Sequence, residues 1–225
     1  MSDDPFRPSE YTAALLRQLR LDGPCTGRVL EMGTGSGVVL AALAAAGARE
    51  VVGVDLEPGA VQRTRELLRS QGGVAASVRC GDLWQALADE RFDLIAFNPP
   101  QLPLMSDSAD GSRLHSWSDG GTDGRDVLDR FLCGLDRHLA PGARALITHS
   151  SFLDLERTRQ SLAARALQVQ VRQTVCVQIA PYKLRALPTS WLERQLGQSL
   201  HRVGPYVFTD FHVLEIRHAN DAKAR

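Results

Sequence analysis

Two spacings of apolar residues alternate along this chain. Short strand-length runs lie at 28–32, 51–55, 75–80, 92–97 and 143–148. Such runs suit strands buried on both faces. Between them, apolar positions three and four apart predict helices at 36–46, 58–70, 126–139 and 153–166. A first helix is expected at 11–19 with Ser9 as its cap, and Pro58 sits at a favoured first-turn position. A short helix is expected at 83–88, and Pro141-Gly142 is expected to turn the chain before the fifth strand. Two more strands are expected at 168–179 and 206–217, separated by an insertion at 181–205. Strand–helix alternation of this kind predicts an α/β fold: a mostly parallel sheet with helices on both faces and an antiparallel last strand. The whole of 1–225 reads as one domain, with 1–27 as a helical lead-in. The segment 106–123 is too long and too rich in Gly and Ser for a routine connection, which predicts a functional or mobile loop.

Composition narrows the partners. The 225 residues carry 26 basic and 26 acidic side chains, so no global attraction to nucleic acid or an anionic membrane is expected. The apolar share of 44% is enough for a full core. No apolar run approaches the roughly 20 residues of a membrane span, and no secretory leader is visible after the acidic start. Cys25, Cys80, Cys133 and Cys176 are scattered without C-x-x-C spacing, so neither a zinc site nor a disulfide framework is expected. Reduced thiols fit a cytoplasmic protein.

Candidate chemistry gathers where strands end. Strand one runs into Glu31-Met32-Gly33-Thr34-Gly35-Ser36-Gly37, and a helix follows. Glycines at such a point let a ligand approach the backbone, and the helix N-terminus favours polar or anionic groups. A G-x-G-x-x-G dinucleotide site would need glycine at 38, which is Val38, and no P-loop pattern is present. Asp55, followed by Leu56, ends strand two about 20 residues on, where an acid binds ribose hydroxyls in doubly wound sheets. Asp82 follows strand three and is placed to accept a hydrogen bond from an adenine amino group, with Leu83 packing on the ring. Strand four ends in Phe97-Asn98-Pro99-Pro100-Gln101. Two prolines fix two φ angles and push Asn98 to an extended conformation, so the turn presents one amide and its neighbouring carbonyls stiffly. Three acids and this turn, at four successive strand ends, converge where the strand order reverses.

The E-x-G-x-G-x-G form resembles the first motif of class I S-adenosylmethionine-dependent methyltransferases. Over residues 7–150 the chain is similar to the HemK/PrmC-type branch of that class, and nearest its single-domain members. Pro8-Ser9-Glu10-Tyr11-Thr12 resembles the family's Pro-x-Glu-Asp-Thr element, Asn98-Pro99-Pro100 its Asn-Pro-Pro-Tyr motif, and 120–131 its Gly-Gly-x-(Asp/Asn)-Gly segment and following helix. The resemblance implies a Rossmann-like seven-stranded sheet and S-adenosyl-L-methionine as cofactor. Thr12, Glu31, Gly33, Thr34, Gly35, Gly37, Asp55, Leu56, Asp82, Leu83 and Asn98 are the implied cofactor contacts. Asn98 and Pro99 would carry catalysis, the amide oxygen and the proline carbonyl accepting two N–H bonds from the nucleophilic nitrogen. Pro100, Gln101, Asp123 and Arg125 would face the methyl acceptor. Alignment then supplies most of the catalysis, and neither His115 nor His149 is needed as a base.

The chain departs from the family pattern at Gln101, which replaces a tyrosine, at Tyr11, which replaces an aspartate, and at 181–205. The insertion carries Tyr182, Lys183, Arg185, Trp191, Arg194 and Arg202, and reads either as a surface helix with a solvated basic face or as an element that recognises the acceptor. Four functions stay open: N-methylation of a protein side chain, glutamine by resemblance; N-methylation of a small molecule; adenine methylation in nucleic acid; and a non-catalytic cofactor-binding subunit. Charge balance and the absent stacking aromatic count against nucleic acid. The intact loop and acids count against a dead subunit. The resemblance leaves room for a small activator subunit or a homodimer.

Overall fold

A computed structural model describes residues 7–72, 74–104 and 117–224. Its elements run α1 (Glu10–Asp22), β1 (Arg28–Met32), α2 (Val38–Ala45), β2 (Glu50–Asp55), α3 (Pro58–Gln71), β3 (Ala75–Cys80), a 3-10 turn (Leu83–Ala86), β4 (Phe92–Phe97), α4 (Asp126–His138), β5 (Leu139–Ser150), α5 (Leu155–Ala163), β6 (Leu167–Gln178), α6 (Pro181–Ala186), α7 (Thr189–Gln195), β7 (Leu200–Val203) and β8 (Tyr206–His218), with a last 3-10 turn at Ala219–Ala224. The sheet order is β3-β2-β1-β4-β5-β8-β6, with β7 added to β8. Strands β1 to β5 are parallel neighbours, while β8 runs antiparallel to β5, β6 and β7. The chain reverses its direction of sheet growth between β1 and β4, so the carboxyl ends of those strands open a crevice.

The sheet separates two apolar layers. On one face Leu30, Met32, Ile95 and Phe97 meet Leu128, Phe131, Leu132 and Leu135 of α4. On the other, Val29, Leu94, Ala96 and Leu146 meet Leu15 of α1, Val39, Leu40 and Leu43 of α2, and Val61 and Leu68 of α3. Burying each such side chain contributes about 1.5–3 kcal/mol. Caps fix where helices begin. The Ser9 hydroxyl accepts from Thr12 N–H while Ser9 N–H donates to the Thr12 hydroxyl, and Pro58 opens α3.

Two expectations are corrected. Pro141-Gly142 does not precede a strand; it lies inside β5. Phe92 pairs with Leu139 but Leu94 with Arg144, so an irregularity in the ladder takes up the extra residues, with Gly142 at φ 76. The sheet has eight strands instead of seven, because the insertion supplies β7. Along one edge of β8, β5 pairs with 211–217 and β7 with 206–209. The insertion therefore continues the sheet past the carboxyl end of β5. Its helices are not merely a solvated surface: Trp191 is 8% exposed and packs edge-on against Phe152. Leu187, Trp191 and Leu200 form a third cluster with Leu102 and Leu104, just after Gln101. Arg185, Arg194 and Arg202 stay exposed.

Candidate active site

The glycine loop is shaped by backbone conformation. Gly33, Gly35 and Gly37 have φ of 65°, 46° and 76°, a region costly for side chains. A Cβ on Gly37 would stand 2.9 Å from the Thr64 backbone, so α3 packs where that side chain would be. A Cβ on Gly35 would meet nothing within 4 Å. The loop is thus sealed behind Gly37 and open at Gly35, a cradle that suits a ligand pressed against backbone.

Acids hold this cradle in place. Asp55 accepts from Gly35 N–H at 2.8 Å and from Glu57 N–H at 2.9 Å, clamping the loop to the end of β2. Burial pushes its pKa up, against the pull of those N–H bonds. Glu31 is 6% exposed and accepts from Leu40 N–H at 2.7 Å, satisfying a free donor in the first turn of α2. Burial raises its pKa well above the ordinary carboxylate value, and Asp55 adds to the rise. Asp82 pairs with Arg130 of α4 on a partly exposed surface. Leu83 has φ 48° and joins the core on the α4 side. A left-handed leucine costs about 1–3 kcal/mol, strain that packing has to offset. Leu56 stands 66% exposed beside the loop. The glycine cradle, the acids at strand ends and this apolar side chain fit an adenosyl group with a charged tail.

Across the crevice, Met32 of β1 and Phe97 of β4 are paired partners, which sets the glycine loop beside Asn98. The Thr148 hydroxyl donates to Asn98 Oδ1 at 2.6 Å. Gln101 is 6% exposed; its Nε2 donates to the Pro99 carbonyl at 3.2 Å and to Thr148 Oγ1 at 3.2 Å, and its Oε1 accepts from Ser150 N–H at 2.6 Å. A glycine turn supports the same loop from below. Leu102 N–H donates to the Ser118 carbonyl and Gly120 N–H to the Leu102 carbonyl. Gly124 has φ 78°, and a Cβ there would stand 2.3 Å from the Gln101 carbonyl oxygen. Trp117 Nε1 donates to Glu57, tying this segment to the start of α3.

A methyltransferase-domain model matches residues 29–110. A Methanocaldococcus jannaschii protein, provisionally named a protein N5-glutamine methyltransferase, is 36% identical over 166 residues, 74% of this chain and 82% of the relative. The chain belongs to the HemK/PrmC family of class I S-adenosylmethionine-dependent methyltransferases. A Geobacter sulfurreducens release factor glutamine methyltransferase is 31% identical over 149 residues, 62% of this chain but only 51% of the relative, so the chain spans about half of that protein. The E. cuniculi Mtq2–Trm112 complex, responsible for methylation of the eRF1 translation termination factor, shares the fold at TM-score 0.61 and 20% identity, covering 94% of this chain and 96% of that one.

Two expected acceptor contacts of this HemK/PrmC chain are turned inward instead. Gln101 bonds only inside the protein, as described. Arg125 is 3% exposed, and its guanidinium donates to the Leu153 carbonyl at 2.7 Å, to Thr158 Oγ1 at 3.0 Å and to Asp129 at 2.8 Å. Five donors on one buried group leave it a brace between α4 and the start of α5. Asp123 is exposed and pairs with Arg157. The Thr12 hydroxyl is taken up in the capping of α1. Tyr11 stacks on Phe211 with centroids 4.1 Å apart; burial raises its phenol pKa, and a bond to Ser150 opposes the rise. His149 is fully buried, and burial lowers its pKa to about 3, with Arg125 adding to the fall. It is neutral at working pH and bonds Thr158 Oγ1 at 2.9 Å. His115 lies outside the described residues. Among the described residues no cluster could hold a metal ion, and no helix is long and apolar enough to cross a membrane. All four cysteines are free.

Thr148, Ser150, Gly124 and Trp117 contribute to the site without having been expected there. For Thr148 a signal existed, since it ends the expected fifth strand in a sheet whose ligands sit at strand ends. Gly124 closes the Gly-Gly-x-(Asp/Asn)-Gly segment, a pattern that marks it without revealing its contact with Gln101; for Ser150 and Trp117 the contacts bridge distant parts of the chain, and no local pattern marks them.

Proposed function

We propose that this chain methylates a side-chain amide nitrogen of a protein, a glutamine in the translation machinery, using S-adenosyl-L-methionine. The observation that carries the reading is the Asn98-Pro99 turn held directly beside the glycine cradle by β1–β4 pairing. Relatives named for glutamine methylation support the acceptor class.

Gly33, Thr34, Gly35 and Gly37 would hold the cofactor against backbone, and Asp55, Leu56, Asp82 and Leu83 would hold its nucleoside; Thr12 and Glu31 would complete the cofactor pocket. When bound, the cofactor supplies an electrophilic methyl group. The chain's own work is orientation. Asn98 Oδ1 and the Pro99 carbonyl each accept one N–H of the incoming amide, which aims its nitrogen lone pair into the crevice. Each oxygen has two lone pairs, so the internal bonds from Thr148 and Gln101 leave one free on each. No base is required: the proton lost by the nitrogen passes to water. Pro100 and the third apolar cluster, from Leu102 to Trp191, would wall the acceptor side. A small partner subunit is part of the proposal, because Mtq2 is paired with Trm112.

The test is label transfer from methyl-labelled S-adenosylmethionine into an extract of the source organism. Label in protein, resistant to nuclease and lost to protease, supports the reading. Label confined to the metabolite fraction would replace it with a small-molecule N-methyltransferase. Co-purification on the tagged chain checks for the small subunit.

A further inference from the structure

Resting on the glutamine reading above, the geometry points to Gln101 and Thr148 as positioning residues: together they decide which face of the Asn98 amide is offered to the acceptor. The argument starts from a group that cannot change role. Ser150 N–H is a backbone donor, and it donates to Gln101 Oε1 at 2.6 Å. That bond fixes the orientation of the Gln101 amide, which otherwise could turn over at little cost. Its NH₂ must then face the Pro99 carbonyl at 3.2 Å, the Thr148 carbonyl at 3.3 Å and Thr148 Oγ1 at 3.2 Å. The reverse orientation would set the Gln101 carbonyl against two carbonyl oxygens and an NH₂ against an N–H.

Thr148 Oγ1 therefore acts as an acceptor toward Gln101. Its single hydrogen is left for Asn98 Oδ1, 2.6 Å away. A hydroxyl that already accepts donates more strongly, so the chain of bonds is cooperative. Asn98 must then present its oxygen, not its NH₂, at this corner. An Asn98 turned over would offer a donor where the acceptor nitrogen also brings donors. Gln101, Thr148 and the backbone of Ser150 are all nearly inaccessible to solvent, with Gln101 at 6% and Thr148 at 0%, so water cannot substitute for a missing partner. The glutamine that stands where the family has a tyrosine thus acts behind the reacting amide instead of on the substrate. The acceptors this site can align are those with two hydrogens on one nitrogen.

The decisive experiment uses the full chain, methyl-labelled S-adenosylmethionine and protein extract of the source organism. Thr148→Val, matched in shape but without the hydroxyl, should lower kcat about 100-fold, the scale of misaligning a reacting group. KM for S-adenosylmethionine should stay at its wild-type value, and the melting temperature should fall by only a few degrees, the scale of losing buried hydrogen bonds. Thr148→Ser, which restores the hydroxyl, should recover most of the rate. A valine variant with wild-type kcat, or a serine variant as slow as valine, would overturn the role. If the wild type labels no protein, the glutamine reading fails, and a second measurement still decides the network. The Thr148 hydroxyl proton should exchange slowly enough to be seen by NMR in the wild type and vanish in Asn98→Ala. Its persistence unchanged in that variant would mean that the proton points elsewhere.

Discussion

The two sides of the crevice are built from different materials. On the glycine side, the bonds run from carboxylates to backbone over short chain distances: Asp55 to Glu57, Glu31 to Leu40 and Asp55 to Gly35. On the Asn98 side, they run between side chains and strand ends far apart in sequence, from Asn98 and Gln101 to Thr148 and Ser150. The backbone donors of the first side cannot be mutated away, so losing one of its carboxylates should cost affinity for the cofactor and leave alignment in place. The second is a chain of side chains, each with a fixed role, so one change there should remove alignment while leaving affinity in place.

The strongest break would come from Asn98→Ala. Transfer should fall by about 100- to 1000-fold, the cost of deleting a positioned polar group at a reacting centre, with S-adenosylmethionine affinity unchanged in titration calorimetry. Equal loss of both would erase the distinction between the sides. Gly124→Ala should come next. Its Cβ would press on the Gln101 carbonyl at 2.3 Å, in a left-handed conformation. We expect about 1–3 kcal/mol of lost stability in denaturant unfolding, together with slower transfer at unchanged cofactor affinity. A shifted cofactor affinity would show that the glycine turn serves the other side as well.

Asp55→Ala sharpens the first side. Binding of S-adenosylmethionine should weaken by about 1–3 kcal/mol, the scale of hydrogen bonds to a charged group, and kcat at saturation should hold. Unchanged binding would remove Asp55 from the cofactor side.

The smallest effect is on pH. His149 has an ordinary value of 6.5 and a folded value of about 3. Below pH 6.5 the unfolded chain takes up a proton that the folded chain refuses, so stability present above 6.5 is lost as pH falls toward 3. Glu31 has the opposite sign: its raised value favours the folded chain at low pH and withdraws that support as pH rises. His149→Gln should therefore flatten the decline of melting temperature between pH 6.5 and 4.5, read by scanning calorimetry. An unaltered slope would mean that His149 is protonated in the folded chain.

What was legible in the sequence follows the same division. The strands 75–80 and 92–97, the capped α1, the glycine loop and Asp55 are all local patterns, and local patterns survive in sequence. The misjudged positions are those whose partners arrive late in the chain. Gln101 looked like a substrate contact because Thr148 and Ser150 are invisible from residue 101. Arg125 looked like an acceptor contact because the carbonyls that receive it belong to 153–154. β7 was missed because four residues, one of them buried, carry too little alternation to announce a strand, and only the free edge of β8 gives them a place. Pro141-Gly142 reads as a turn by every propensity, and the sheet absorbed it as an irregularity.

The three glycines of the loop will also leave different traces in lineages over time. Gly37 is held by Thr64 of α3 whether or not anything binds, so a descendant that abandoned methylation would still keep it to fold. Gly35 faces open space, so within the fold only its φ of 46° disfavours a side chain, and an occupant pressed against the loop adds a second reason. A related chain that retains the glycine at 37 but carries Asn, Asp or a larger residue at 35 would mark a branch that kept the architecture after the ligand was gone.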